Sequence, residues 1–152
     1  MINVLKVTPG SSIAIIGVGA VGLAALMAAK ICEAGTIIAL DVHQSRLDLA
    51  ISLGATHTVL SKDVDVEQGI RKIVPEGIDY AIDCTGLPKV IESMIRALGV
   101  RGKGVTVGSP GQGQTASINI FEHLAFGKTY VGTHQGDSYP PEVCRFQLIH
   151  SY

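Results

Sequence analysis

The chain has 152 residues, 47% of them hydrophobic and 16% charged, with 12 basic against 13 acidic side chains and a formal charge of −1. That length suits one domain with a sizeable core, and the composition excludes a disordered or coiled-coil chain. With the charges balanced and no basic run, the electrostatic footprint of a nucleic-acid binder is missing.

The turn signal Thr8-Pro9-Gly10-Ser11 precedes Ser12-Ile-Ala-Ile-Ile16, a short β-branched run that predicts a buried strand. Gly17 to Gly22 is a turn. Ala20 to about Ala34 is predicted as a helix whose alanines let it approach a sheet closely, with Gly35 as its stop. Thr36 to Leu40 predicts a second strand ending at Asp41, and Ser45 to Leu53 a helix stopped by Gly54. A third strand (Thr56 to Leu60), a short helix (Glu67 to Val74, ended by Pro75) and a fourth strand (Ile78 to Asp83) follow. Pro88 to Leu98 predicts a helix with proline in its first turn, where it is tolerated. Gly104 to Val107, Phe121 to Phe126 and Thr129 to Thr133 complete the alternation as strand, helix and strand, and Pro141 opens a further helix. Strands alternating with helices predict an α/β fold, a doubly wound six-stranded parallel sheet with helices on both faces, in the arrangement of two mononucleotide-binding halves known as the Rossmann fold.

Two features test alternative classes. Ser11 to Ala29 carries no charge over 19 residues, near the threshold for a spanning helix or a signal-peptide core. Pro9-Gly10 upstream and three spaced glycines within it argue against both, so no membrane partner is expected. Cys32, Cys84 and Cys144 are odd in number and far apart. They fit reduced thiols of a cytoplasmic protein better than a disulfide framework or a structural zinc site.

The strongest motif is Gly17-Val18-Gly19-Ala20-Val21-Gly22, a G-x-G-x-x-G that follows a strand and opens a helix. Gly17 permits the tight turn, Gly19 lets a pyrophosphate approach the backbone, and Gly22 lets helix and strand pack closely. The free amides of Ala20 and Val21 and the helix dipole then attract the phosphates. Asp41 lies 19 residues beyond Gly22, the place for an acid that accepts hydrogen bonds from the adenosine ribose and repels a 2′-phosphate. NAD rather than NADP is the expected cofactor. The competing readings are that Asp41 merely caps the next helix, and that Arg46 nearby accepts a 2′-phosphate. His43 would also lie within reach of adenosine.

These stretches, together with Arg46-Leu47-Asp48-Leu49-Ala50, Leu53-Gly54-Ala55-Thr56 and Ile78-Asp79-Tyr80-Ala81-Ile82-Asp83-Cys84-Thr85-Gly86, resemble the cofactor domain of the zinc-containing alcohol dehydrogenases, the medium-chain dehydrogenases. Gly132, Gly136-Asp137-Ser138 before Pro140 and the Phe146 helix look most like the aryl (benzyl) alcohol dehydrogenase branch. The resemblance implies that Thr85-Gly86 passes near the cofactor, and that Val107-Gly108-Ser109 and Thr133-His134-Gln135 flank the nicotinamide. Gly86 and Gly108 as plain turn glycines is the alternative.

The resemblance also implies a catalytic zinc on a separate N-terminal domain. Residues 1–152 would then be a dinucleotide-binding fragment with no catalytic and no metal-ligating residue of its own, expected to bind NAD without oxidising alcohols. The five histidines are scattered and no C-x-x-C or H-E-x-x-H spacing occurs. In the whole enzyme an alcohol or aldehyde would be the substrate. A homodimer through the last strand, Thr129 to Thr133, is expected if that edge is open. The rival functional readings are a stand-alone sensor of NAD or NADH, and a degenerate fragment that binds nothing.

Overall fold

A computed structural model describes residues 3–134, Asp137 and Pro141. Six strands form one sheet: β1 (Ser12–Ile16), β2 (Thr36–Asp41), β3 (His57–Leu60), β4 (Ile78–Asp83), β5 (Leu98–Thr106) and β6 (Thr129–Gly132). Their order is β3-β2-β1-β4-β5-β6, and every neighbouring pair is parallel. The helices between them are α1 (Ala20–Ile31), α2 (Gln44–Leu53), α3 (Val66–Arg71), α4 (Pro88–Ala97) and α5 (Ile120–Ala125). This is the predicted doubly wound sheet, with its order reversing between β1 and β4.

Side chains alternate across each strand, which divides the core in two. Ile13, Ile15, Ile37, Ala39, Tyr80 and Ile82 face one way and pack with Leu26, Ala29, Leu47 and Ala50 of α1 and α2. Ala14, Ile16, Ile38, Leu40 and Ala81 face the other and pack with Ile70, Ile91, Met94 and Ile95 of α3 and α4. Both faces are covered, so the strands read as continuous apolar runs rather than alternating ones. The uncharged stretch that raised the membrane question divides into β1, a loop and the opening of α1. No described helix is long and apolar enough to cross a membrane.

The boundaries differ from the sequence reading in instructive places. Helix α1 stops at Ile31 rather than near Ala34, because Glu33 turns left-handed (φ 57°) and Ala34 N–H closes onto Ala29 C=O. Gly35 is therefore not the stop. It lies where backbone meets backbone, and a methyl there would come within 2.7 Å of the Gly10 carbonyl oxygen. Helix α3 ends at Arg71, short of Val74, and begins one residue early, at Val66. Its cap, Asp65, accepts hydrogen bonds from Glu67 N–H and Gln68 N–H. Strand β5 starts at Leu98 rather than Gly104, because Leu98 pairs with Ile78 across an irregularity in the ladder. The helix expected from Pro141 onward, with Cys144, Phe146 and His150, lies outside the described residues, apart from Pro141 itself.

Candidate functional site

In a parallel sheet every strand-to-helix connection leaves from the carboxyl ends, so the loops after β1, β2, β4, β5 and β6 gather on one edge. The loop after β1 holds the glycine motif. Gly17 has φ 85°, a left-handed conformation that favours glycine, and its N–H donates to Leu40 C=O at 2.8 Å. A methyl on Gly22 would overlap the Gly17 carbonyl oxygen, which is backbone and has no room to yield. Around Gly19, by contrast, a methyl would meet nothing within 4 Å. Gly19 is also the N-cap of α1 and offers no side-chain cap, and the first turn of that helix contains no acid. The first helical bond runs from Leu23 N–H to Gly19 C=O, which leaves the amides of Ala20 and Val21 ahead of the ladder. An uncapped helix end facing open space carries a positive partial charge that favours negative groups.

Asp41 ends β2 and is 5% exposed. Its Oδ2 accepts from Val18 N–H at 3.0 Å, and its Oδ1 from His43 N–H at 3.0 Å. Arg46 Nη1 lies 3.5 Å from Oδ2, with half of its side chain in solvent. The carboxylate therefore joins the second strand to the glycine loop, a contact the sequence reading did not foresee. His43 is the N-cap of α2 but makes no side-chain cap bond, and the capping bond read for Asp41 is replaced by its grip on Val18 and His43 backbone.

The loops after β4 and β5 touch each other. A methyl on Gly86 (φ 70°) would lie 2.8 Å from the Ser109 carbonyl carbon, and one on Gly108 would overlap the Gly86 nitrogen. Each glycine is needed for this backbone approach. Thr85 reaches the first loop, its Cγ2 falling 2.8 Å from where a Gly17 methyl would stand. Val107 packs against the first core cluster, and its N–H donates to Asp83 C=O at 2.9 Å. Burial, with the Asp83 carboxyl group beside it, pushes the Cys84 thiol up to about 12. Cys84 thus packs partly buried beside these turns, where burial disfavours its thiolate.

Gly17, Gly19, Ala20, Val21, Gly22, Asp41 and Arg46 are brought together around the first two loops, and Thr85, Gly86, Gly108 and Ser109 around the next two. Thr133 and His134 follow β6, at the far end of the sheet order from the glycine loop. The Thr133 hydroxyl is shielded without a partner among the described residues, while His134 is exposed. Gln135 lies outside the described residues. The residue that sequence reasoning missed is Asp83. It is wholly buried and accepts from Thr85 N–H at 2.9 Å, Thr85 O–H at 2.6 Å and Gly86 N–H at 3.1 Å. The signal was present, since an aspartate ending an apolar strand two residues before Thr-Gly is an Asx-turn pattern.

Among the described residues no three His, Cys, Asp or Glu side chains come together to hold a metal ion. The described residues therefore offer zinc no ligand set.

Fold and loop geometry define a Rossmann-type domain whose first strand leads through a glycine turn into α1. Residues 20–148 match the family model described as zinc-binding dehydrogenase, and the chain belongs to that family. It is similar to a solved alcohol dehydrogenase zinc-binding domain protein from Burkholderia ambifaria, with 47% identity and a TM-score of 0.93 over 99% of this chain and 41% of that one. Benzyl alcohol dehydrogenase from Acinetobacter calcoaceticus gives 43% identity and a TM-score of 0.90 over 97% of this chain and 42% of that one. A Sinorhizobium meliloti protein, solved bound to NADP, gives 30% identity and a TM-score of 0.79 over 83% and 38%. The chain thus spans about two fifths of the length of each relative.

Proposed function

We propose that this chain binds NAD across the carboxyl edge of its sheet and serves as the coenzyme-holding part of an alcohol dehydrogenase. The observation that carries the reading is the pairing of open space at Gly19 with an uncapped α1 behind it. The amides of Ala20 and Val21 would hold the pyrophosphate, and Asp41 would accept from the adenosine ribose with Arg46 lying over it. Preference for NAD over NADP follows from the buried carboxylate, which opposes a 2′-phosphate. The turns at Thr85-Gly86 and Val107-Ser109 would face the nicotinamide half, with Thr133 and His134 beyond them, because the two halves of such a sheet take one mononucleotide each.

A bound nicotinamide would supply the hydride acceptor for an alcohol carbon, and the hydroxyl proton would pass to water as the carbonyl forms. The residues of this chain bind and orient; they supply no proton-transfer group at the glycine loop. The alcohol-binding and zinc-bearing portions are assigned to sequence outside residues 1–152, in keeping with relatives more than twice as long. The likeness to benzyl alcohol dehydrogenase supports an aromatic alcohol or aldehyde as the substrate class. A cytoplasmic location is in keeping with free thiols at Cys32 and Cys84.

A homodimer is supported by two features. Among the described residues strand β6 pairs with β5 alone, and α5, which leads into it, exposes Ile120, Phe121 and Leu124 by 81%, 76% and 78%. Sedimentation of the chain against a Phe121→Lys, Leu124→Lys variant tests the dimer, and a wild-type monomer at all concentrations refutes it. Calorimetric titration with NAD and NADP tests the main reading. Micromolar to millimolar NAD binding that is weaker for NADP is expected, and no binding of either dinucleotide overturns it.

A further inference from the structure

Asp83 stands apart from every other polar group on this edge. It is 0% exposed, whereas Asp41 retains some surface, so its carboxyl group touches no ligand. It is paired with no cation among the ion pairs of the described residues. Yet both of its carboxyl oxygens are spent on one turn. Oδ1 takes both Thr85 N–H and Thr85 O–H, and Oδ2 takes Gly86 N–H. The Thr85 hydroxyl in turn accepts from Leu87 N–H at 3.2 Å, which commits its own hydrogen to Asp83. The backbone carbonyl of the same residue accepts from Val107 N–H at 2.9 Å and Gly108 N–H at 3.1 Å. A single buried residue therefore fixes the turn after β4 with its side chain and the turn after β5 with its main chain. These two turns meet backbone to backbone at Gly86 and Gly108.

We propose that Asp83 is the positioning residue for the nicotinamide half of the coenzyme site, setting the Thr85-Gly86 turn against the Val107-Ser109 turn; the proposal rests on the dinucleotide reading above. The three donors offset the cost of burying the acid, and an apolar residue in its place would leave the Thr85 and Gly86 amides without that acceptor. Here it holds two loops whose amides would otherwise be free to rearrange. Its counterpart, Asp41, ties β2 to the glycine loop through Val18 N–H. The two aspartates thus divide the site, one organising the half that would take adenosine and the other the half that would take nicotinamide.

Asp83→Asn is the discriminating change. It preserves volume, and its amide oxygen can still accept both Thr85 donors, but the NH₂ group then confronts Gly86 N–H, donor against donor. The measurement is calorimetric affinity of the full chain for NADH and for ADP-ribose, which lacks the nicotinamide, with circular dichroism as the check on folding. The wild type is expected to bind NADH more tightly than ADP-ribose. In Asp83→Asn, NADH affinity should fall about tenfold while ADP-ribose affinity stays within about threefold.

Equal loss of both ligands, or loss of neither, overturns the proposal, because a merely structural role predicts no difference between them. If Asp83→Asn does not fold, Thr85→Val decides by the same comparison, since it removes the hydroxyl bond and leaves the carboxyl group in place. Wild-type binding of both ligands with equal affinity also overturns the proposal but leaves the dinucleotide reading standing. Wild-type binding of neither ligand defeats that reading itself.

Discussion

Replacing Asp41 with asparagine tests the coenzyme preference at its source. The carboxylate is 5% exposed, so its charge acts through protein rather than bulk water. A 2′-phosphate about 4 Å away would be repelled by about 4 kcal/mol at an effective dielectric of about 20. Arg46, 3.5 Å from the same oxygen, offsets part of this. Taking half as the remainder leaves about 2 kcal/mol, or about thirtyfold in the ratio of NAD to NADP affinity. The variant also loses a charged acceptor for the ribose hydroxyls, which weakens NAD itself by about 1.5–3 kcal/mol. One of Val18 N–H and His43 N–H will face an amide NH₂, so some stability is lost as well. Binding should therefore be titrated well below the melting temperature. The expected result is NAD weakened at least tenfold and the preference cut about thirtyfold. If Asp41→Asn binds NAD as the wild type does and still discriminates against NADP to the same extent, the carboxylate is not the selecting group.

The glycine loop separates binding from folding. Gly19→Val enters open space and should keep unfolding free energy within about 1 kcal/mol, the scale of a lost N-cap preference, while abolishing dinucleotide binding. Gly22→Ala meets backbone and should destabilise the chain by about 3 kcal/mol in urea unfolding. Lys128 is buried, and its Nζ donates to Ile95 C=O and Arg96 C=O at 3.1 and 3.0 Å, closing the end of α4. Lys128→Met should cost about 1–3 kcal/mol by stranding those carbonyls. Burial also holds the Lys128 ammonium below its ordinary value of 10.5. The unfolded chain therefore binds more protons between the two values, and this site's contribution to stability rises with pH across that window. Urea titrations at neutral and alkaline pH should show a wild-type advantage over Lys128→Met that grows with pH; a constant gap would contradict the assignment. With its pKa near 12, Cys84 should resist iodoacetamide at pH 8 in the folded chain and react on unfolding, as mass spectrometry of the labelled peptide would show.

Much of this was legible beforehand for a definite reason. Fully covered parallel strands such as Ile13-Ala14-Ile15-Ile16 and Ile37-Ile38-Ala39-Leu40 leave uninterrupted apolar runs, and the glycine spacing of the first loop has a steric cause that survives without coordinates. Contacts far apart in sequence were not legible. Asp41 bonding Val18, Gly35 meeting Gly10 and Leu98 pairing with Ile78 all depend on how strands are ordered, which local pattern does not encode. The end of α1 was misplaced because a glutamate, Glu33, took the left-handed position that glycine usually fills. Asp83 escaped notice because a carboxyl group at a strand end reads as solvent-facing until the loops above it are seen to close over it.

The bare face of α5 has a practical consequence for all these measurements. Three large apolar side chains left in water represent about 5–9 kcal/mol of burial free energy available to whatever covers them. Self-association would then be thermodynamically linked to coenzyme affinity and melting temperature, making both drift with protein concentration. Titrations repeated over a wide dilution series, or on the Phe121→Lys, Leu124→Lys surface, would separate the intrinsic affinity of the glycine loop from the contribution of assembly.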